Sequence, residues 1–236
     1  MIAIAAKQQE CSDWTGIAVV SDVLRCSTNI CAMLTRGKPR VRIFADKEKA
    51  VAWHAANPGN DFFSELDFPP DFKKYDNSPS QALRSDPAKP AILVTGAGTK
   101  ALLSLKKAKA VYIGCFANFP AIVAKLRSGG DFLLVPAGLF FQNHLEDFLC
   151  SKALAQAALG DDNAAQNAVN ALKKSGRIEE FLASRPENGA ADLKLALNIG
   201  GFKVLPEIKV FDDYALAENS IGKNVPAAGI CCGRKQ

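Results

Sequence analysis

The apolar run at residues 17–20 leads into residues that can bind an anion. Asp22 comes two residues after this run, then Arg25, and then the paired hydroxyls of Ser27 and Thr28. An arginine and hydroxyls at a helix start can hold phosphate oxygens, and a carboxylate beside them can act as a base or hold a cation. The alternative is that Asp22 is a turn residue and Arg25 a solvated surface charge.

A second group of phosphate-binding candidates follows the apolar run at residues 91–94. Thr95, Gly96, Gly98 and Thr99 belong to a glycine-rich turn whose N–H groups and hydroxyls can bind a phosphate. The turn is too short for a Walker A loop, and it lacks the third glycine of a dinucleotide fingerprint. A plain tight turn between a strand and a helix would use the same glycines.

Two adjacent carboxylates, Glu146 and Asp147, stand at the predicted start of a long helix. Beside an anion site they could hold Mg²⁺, which proteins bind through one or two carboxylates together with water and substrate oxygens. Acids at this position are also favoured by the helix dipole without any function. His144, which precedes them, is interpreted as a loop residue with only a minor claim to a metal-binding or general-base role.

These residues need a scaffold that brings the ends of several strands together. Short apolar runs alternate with helical patterns, and strands are predicted at residues 17–20, 41–44, 91–94, 111–114 and 132–135. The alternation predicts an α/β fold of three α/β/α layers with a mostly parallel sheet, in one lobe or in two lobes that share a cleft. In a parallel sheet these strands end at one edge, so we expect the candidate groups, Asn118 included, to converge there.

Capping residues predict where several helices begin and end. Ser27 or Thr28 is expected to cap a helix that ends at Gly37, and Asp46 to cap a helix over residues 47–56. Further helices are expected to begin near Pro120, from Leu145 over about 15 residues, and at residues 164–174, 177–184 and 193–197.

The least regular stretch is residues 57–90, which contains six prolines. It is expected to form one long loop, of a kind that is often functional. Near the end of the chain, residues 208–211 are a candidate strand that is followed by a loose tail.

With 236 residues, of which 48% are hydrophobic, the chain can form a single domain over residues 1–236. The net charge of +5 is modest and the basic residues are spread out, which argues against a nucleic-acid surface and suits a small anionic substrate. The seven cysteines, Cys231 and Cys232 included, show no zinc-ligand spacing, so we interpret them as reduced thiols of a cytoplasmic protein. No segment has the length of a membrane span. The composition is compatible with a homodimer without requiring one.

Five motifs, taken in chain order, resemble those of the 2-phosphosulfolactate phosphatase family. Each motif is weakly specific alone, but the ordered set spans nearly the whole chain. The motifs are Ser-Asp-Val-Leu-Arg-Cys-Ser-Thr at residues 21–28, Asp-Asn-Ser-Pro at 76–79, Thr-Gly-Ala-Gly-Thr at 95–99, Gly-Cys-Phe-Ala-Asn at 114–118, and Ala-Gly at 137–138 followed by Leu-Glu-Asp-Phe-Leu-Cys at 145–150.

This resemblance implies a Mg²⁺-dependent phosphatase of sulfolactate metabolism, a part of which is coenzyme M synthesis. It implies hydrolysis of 2-phosphosulfolactate to sulfolactate and phosphate, with Asp22 and Arg25 as catalytic residues and with Asp22, Glu146 and Asp147 in the metal region. The residues implied to surround the phosphate and the carboxylate or sulfonate of the substrate are Ser27, Thr28, Asn77, Ser78, Thr95, Gly98, Thr99 and Asn118.

Three departures from the family pattern bear on the function. The family segment Thr-Thr-Asn-Gly-Thr is replaced by residues 95–99 without the asparagine, and a family Gly-Glu-Arg segment by residues 63–66, which keep Glu65 but lack the arginine. His144 stands where serine is usual. Because bidentate arginine contacts are hard to replace, the departures motivate a second hypothesis, a non-catalytic homologue that binds a phosphorylated or sulfonated anion. A structural domain without a small-molecule site is the third.

Overall fold

Nine strands within the described part of the chain form one mixed sheet. The structure is a computed structural model and describes residues 1–141 and 144–221. The strands are β1 (Ile2–Ile4), β2 (Ile17–Ser21), β3 (Val41–Phe44), β4 (Asp61–Ser64), β5 (Ala91–Val94), β6 (Ala110–Ile113), β7 (Phe132–Pro136), β8 (Pro206–Val210) and β9 (Tyr214–Asn219). The helices are α1 (Gln8–Asp13), α2 (Cys26–Arg36), α3 (Lys47–Ala56), α4 (Pro79–Ala82), α5 (Ala97–Leu103), α6 (Phe119–Arg127), α7 (Leu145–Ala158), α8 (Ala164–Lys173), α9 (Arg177–Ser184) and α10 (Gly189–Ala196), with short 3-10 helices at Phe116–Asn118 and Ala137–Phe140. The predicted α/β fold class is confirmed.

The sheet consists of two parallel groups of strands that run in opposite directions. The strand order is β1-β7-β2-β6-β8-β9-β3-β5-β4. Strands β1, β7, β2 and β6 are parallel to one another and form the first half; β3, β5 and β4 are parallel to one another and form the second half. The hairpin β8–β9 lies between the halves and pairs antiparallel with both. Three successive antiparallel pairs therefore reverse the strand direction from one half to the other.

The expectation that all candidate groups leave the sheet at one edge is wrong for the group after β5. This strand belongs to the second half, so residues 95–99 follow a strand that runs opposite to β2. They nevertheless reach Asp22, because a Cβ atom on Gly98 would lie 2.6 Å from Asp22 Oδ2. Four strands separate β2 from β5, and a twist of about 20–25° per strand pair turns them by roughly 100–125°. Strand ends from both halves therefore meet at one cleft.

Most of the predicted strands and helices are confirmed to within a few residues. β3, α3 and β5 match the predicted ranges residue for residue, and Gly37 follows α2 with a φ of 103°, a left-handed conformation that favours glycine. The Asp46 side chain accepts a hydrogen bond from the backbone N–H of Lys49 at 3.0 Å, as expected of an N-cap. Ser27 and Thr28 do not cap α2, since the helix begins before them at Cys26.

Three strands were not predicted. β4, together with the short helix α4, lies inside the stretch expected to be one loop, β9 lies in the expected tail, and β1 opens the chain. β1 and β4 are the two edge strands of the sheet, and each has only three or four residues. Short edge strands carry little of the apolar pattern that identifies a buried strand.

Apolar side chains cover both faces of the second half. On one face Ile43, Phe63 and Leu93 join the main hydrophobic core, which also contains most buried residues of the first half. On the other face a smaller cluster forms around Phe44, Phe62, Ala50, Ile92 and Val94. Alternate residues of each strand thus pack on opposite faces, as the pleat of a strand requires.

Cys11, Cys26, Cys31, Cys115 and Cys150 are buried and carry free thiols. Cys231 and Cys232 lie outside the described residues. Within residues 1–141 and 144–221, no helix has the length and hydrophobicity needed to cross a bilayer.

Candidate functional site

A cavity of about 430 Å³ lies where strand ends of the two halves meet. Residues that follow β2 and β7 contribute from the first half, and residues that follow β4 and β5 contribute from the second. One side is formed by α9 and the residue after it. The residues that line the cavity are Asp22, Leu24, Arg25, Glu65, Leu66, Asn77, Thr95, Gly96, Ala97, Phe141, His144, Arg177, Phe181, Ser184 and Arg185.

Asp22 is the buried carboxylate of this cavity. Only 5% of the residue is exposed, and its Oδ1 accepts a hydrogen bond from the backbone N–H of Cys26 at 3.1 Å. Burial raises the pKa of the Asp22 carboxyl from 3.8 to about 7, and the negative charge of Glu65 contributes, followed by that of Glu146. At neutral pH this carboxyl can therefore both accept and release a proton.

Gly98 allows the turn after β5 to approach Asp22 closely. A Cβ atom at this position would lie 2.6 Å from Asp22 Oδ2 and 2.9 Å from Cys26 Sγ, distances that side-chain atoms do not tolerate. The backbone of Gly98 favours the charged form of the Asp22 carboxylate and thus lowers its pKa, against the larger effect of burial. A glycine is therefore required where the two halves of the sheet contact each other at the cavity.

Arg25 is held in the cavity wall by two carboxylates. It donates from Nη1 and Nη2 to the two oxygens of Asp76 at 2.6 and 2.9 Å, and from Nη1 to Asp192 Oδ2 at 3.0 Å. Asp192 is fully buried, and its Oδ1 also accepts hydrogen bonds from Ser78 Oγ at 2.7 Å and Ser80 N–H at 3.0 Å. The guanidinium orientation is thereby fixed before any ligand binds.

Asn77 and Thr95 line the cavity beside these charged groups. The Asn77 side-chain oxygen accepts a hydrogen bond from Asn29 Nδ2 at 2.8 Å, which leaves the NH₂ group of Asn77 available to a ligand. Of the residues predicted to bind substrate or catalyse, the structure therefore brings Asp22, Arg25, Asn77 and Thr95 together.

The other predicted substrate-binding residues do not line the cavity. Ser27 Oγ accepts from the Asp22 N–H at 2.8 Å, and Thr28 Oγ1 donates to the Val23 carbonyl at 2.7 Å, so both hydroxyls hold the loop that carries Asp22. Asn118 accepts from Cys115 N–H at 2.9 Å and donates to backbone carbonyls. Ser78 Oγ donates a hydrogen bond to Asp192, and Gly98 lies against the Asp22 side chain. Thr99 Oγ1 is buried without a hydrogen-bond partner.

Glu146 and Asp147, the predicted metal-binding pair, are occupied by protein groups. Asp147 accepts hydrogen bonds from the backbone N–H of Val23 at 2.8 Å and of Gly138 at 3.1 Å. Glu146 accepts from Nε and Nη2 of Arg177 at 2.9 Å each. Burial raises the pKa of Asp147 well above its usual range, as do the charges of Asp22 and Glu146. Among the described residues no three His, Cys, Asp or Glu side chains form a metal-binding group.

Glu65 is the second carboxylate that lines the cavity with Asp22. Its Oε1 lies 3.4 Å from the backbone N–H of Gly96, and its Oε2 is buried without any hydrogen-bond partner. A buried carboxylate oxygen without a partner is costly unless a cation or a ligand donor satisfies it. The two carboxylates of this cavity come from different halves of the sheet.

Sequence reasoning missed the contribution of α9. Arg177, Phe181 and Ser184 follow the helical spacing that places residues on one face, and Arg185 comes directly after the helix. This helix was predicted at the observed residues, so its spacing was a usable signal, but no local feature shows which face meets a cavity.

His144, given only a minor role, lines the cavity, and burial lowers its pKa so that the imidazole is neutral at pH 7.

The sequence is similar to known proteins over nearly its whole length. A family model described as 2-phosphosulpholactate phosphatase matches residues 3–210. A probable 2-phosphosulfolactate phosphatase of Thermoplasma acidophilum is 27% identical over 196 residues, which are 82% of this chain and 86% of the relative. Proteins of the same name from Thermoplasma volcanium and Symbiobacterium thermophilum are 27% and 30% identical, and the alignments cover 88% and 75% of this chain and 95% and 76% of the relatives. The resemblance inferred from the five motifs is confirmed, and the chain belongs to the 2-phosphosulpholactate phosphatase family.

Proposed function

We propose that this protein hydrolyses the phosphate ester of a small organic acid, with 2-phosphosulfolactate as the first candidate substrate and sulfolactate and phosphate as products. The names of the relatives support this substrate class. The observation that carries the proposal is the composition of one cavity wall. There a buried carboxylate with a pKa of about 7, Asp22, lies with the positioned guanidinium of Arg25 and the amide of Asn77.

In the proposed reaction Asp22 is the general base. Its carboxylate takes a proton from water as the water oxygen forms a bond to phosphorus and the ester P–O bond breaks. The leaving alkoxide then takes a proton, so the ester and water become an alcohol and phosphate. Arg25 and Asn77 donate hydrogen bonds to phosphoryl oxygens, whose charge grows or shifts in the transition state. The neutral carboxyl that forms on Asp22 returns its proton to water, and the leaving oxygen takes a proton from water.

We further propose Mg²⁺ as the cofactor, held by Asp22 and Glu65. Both side chains present carboxylate oxygens to the cavity, and the buried Glu65 Oε2 has no partner in the protein. Asp22 and Glu65 would hold the ion through carboxylate oxygens, which are the ligands that Mg²⁺ prefers in proteins. Bound Mg²⁺ would neutralise phosphoryl oxygens and lower the pKa of a coordinated water. Glu146 and Asp147 act instead on Arg177 and on the loop backbone.

The test of the proposal is phosphate release from a panel of small phosphorylated acids, 2-phosphosulfolactate and phosphoglycolate among them, with Mg²⁺ and with a chelator. We expect Mg²⁺-dependent release by the wild type. The Asp22→Asn variant, which keeps the size and the Oδ1 acceptor, should lose a factor of about 10²–10⁴ in kcat. The matched control is Asp71→Asn, at an exposed carboxylate outside the cavity, and it should retain full activity. Undiminished turnover by Asp22→Asn would refute the assigned role.

A second candidate function is favoured because two positions where this sequence differs from the family pattern lie in the cavity wall. Leu66 and Ala97, which stand where the family pattern has an arginine and an asparagine, both line the cavity. A non-catalytic homologue that binds a phosphorylated or sulfonated anion is therefore the alternative. Tight binding of such an anion without phosphate release, with Mg²⁺ present and at high protein concentration, would favour this alternative over the enzyme.

A further inference from the structure

Three arginines line the cavity, and two of them are already neutralised by the protein. Arg25 is paired with Asp76 and Asp192, as described above. Arg177 is paired with the fully buried Glu146 at 2.9 Å, and its Nη1 lies 3.5 Å from Glu180. These ion pairs fix both side chains and cancel most of the positive charge that they bring to the cavity.

Arg185 differs from the other two arginines. It forms no ion pair within residues 1–141 and 144–221, and its hydrogen bond runs from Nη1 to the carbonyl of Ser184 at 2.8 Å. The side chain is half-buried, and it lines both the main cavity and an adjoining cavity of about 220 Å³. Asp76 and Glu187 also line the adjoining cavity, but neither forms an ion pair with Arg185, so its guanidinium is available to an anionic ligand.

The cavity that Arg185 lines also has apolar side chains in its wall. Leu66 and Phe181 line the same cavity, and Phe181 is buried while its neighbours on α9 are more exposed. An apolar wall reduces the water around a bound ligand, so a charge-assisted hydrogen bond from Arg185 would be stronger there than on an open surface.

We infer that Arg185 determines specificity by binding a second anionic group, a carboxylate or sulfonate, on a substrate whose phosphate lies at Asp22, Arg25 and Asn77. This inference deepens the proposed function and rests on it for the placement of the phosphate. A ligand with a phosphate alone would not use Arg185, whereas a ligand with two anionic groups would gain from the guanidinium.

The test measures binding of non-hydrolysable phosphonates by calorimetry, so that turnover cannot interfere. Phosphonoacetate and 3-phosphonopropionate carry a carboxylate besides the phosphonate, and ethylphosphonate carries none. The wild type should bind at least one of the two carboxylate ligands about 10- to 100-fold more tightly than ethylphosphonate. Arg185→Gln should remove this preference and leave the affinity for ethylphosphonate unchanged, which also shows that the variant is folded. Arg185→Lys, which keeps the charge, should keep part of the preference. The matched control is Arg40→Gln, at an exposed arginine that does not line the cavity, and it should behave like the wild type.

The inference is overturned if the wild type shows no preference for a second anion, if Arg185→Gln retains the preference, or if this variant weakens the binding of all three phosphonates equally. Phosphate release by the wild type is measured separately. Release from phosphate esters without the preference would leave the proposed hydrolysis standing and refute the role of Arg185. A preference for the carboxylate ligands without any phosphate release would support the role of Arg185 and refute the proposed hydrolysis.

Discussion

At the scale of single residues, the burial that makes Asp22 useful as a base also works against the folded state. Its carboxyl is nearly inaccessible and faces the charges of Glu65 and Glu146, so ionisation costs more in the folded protein than in the unfolded chain. The folded pKa of about 7 lies above the ordinary value of 3.8. Between these two values the folded protein binds a proton that the unfolded chain has released. The stability of the wild type therefore falls as the pH rises through this window.

This reasoning predicts a pH-dependent gain in stability for Asp22→Asn. In chelator, the variant should have a higher free energy of unfolding than the wild type at pH 8, by a few kcal/mol. The gain should shrink as the pH falls from about 7 and vanish below about 4. Urea unfolding of both proteins at several pH values measures the difference. A difference that does not change with pH would show that Asp22 does not titrate as proposed.

The hydrogen bonds of single residues also show which parts of the site could be predicted from the sequence. Asp22 and Arg25 were predictable, because few other places at a strand end combine an acid and an arginine. Ser27, Thr28 and Asn118 were predicted to face a ligand, yet their polar groups hold backbone atoms of the loops that carry the site. Hydroxyl and amide groups bind backbone and ligand equally well, and only the folded chain decides between the two.

At the scale of elements, a buried lysine anchors the irregular stretch that contains β4. The ammonium group of Lys38, just after α2, donates to Asp61 Oδ2 at 2.6 Å and to the carbonyls of Asp86 and Lys89 at 2.9 and 3.2 Å. The lysine is 3% exposed. It thereby connects the end of α2 to the start of the edge strand β4 and to the loop before β5.

Replacing this lysine should destabilise the protein without changing the site. Lys38→Met leaves the Asp61 carboxylate and two carbonyls without their partner, and it should lower the free energy of unfolding by about 3 kcal/mol. Phosphate release at a temperature where the variant is folded should stay unchanged, since Lys38 does not line the cavity. The control is Lys107→Met, which removes an exposed ion pair with Asp13 and should have no measurable effect. Equal stability of Lys38→Met and wild type would contradict the anchoring role.

Local patterns predicted the central elements better than the peripheral ones. β3, α3 and β5 have strong apolar runs or clear caps, whereas β1 and β4 are short edge strands. The reversal of strand direction between the halves could not be predicted at all. It depends on the pairing of β8 and β9 between β6 and β3, and those partners are far apart in the chain.

At the scale of the whole molecule, the cavity joins the two halves of the sheet. Asp22 follows β2 of the first half, whereas Glu65 follows β4 and Thr95 follows β5 of the second half. A ligand that contacts residues on both sides adds a connection between the halves that the empty protein lacks. Ligand binding is therefore expected to stabilise the molecule as a whole.

For Mg²⁺, this arrangement predicts thermal stabilisation that needs both carboxylates. At a concentration of about one hundred times its Kd, Mg²⁺ should add about 2.7 kcal/mol to the stability of the wild type, seen as a rise in Tm. Glu65→Gln should abolish or strongly reduce the rise, whereas Asp71→Asn should retain it. An equal rise in Glu65→Gln and wild type would exclude Glu65 as a ligand, and the absence of any rise in the wild type would count against Mg²⁺ binding.

The position of the β8–β9 hairpin has a consequence for how the chain folds during synthesis. The hairpin separates β6 from β3, and it is made of residues 206–219, which the ribosome adds after every other described strand. Until then β6 and β3 each present an open edge with unpaired backbone groups, of the kind that invites pairing with another chain. The two groups of strands can therefore be joined only after residues 206–219 have been synthesised, and a chain that stops before them would expose two sheet edges of the kind that favours aggregation.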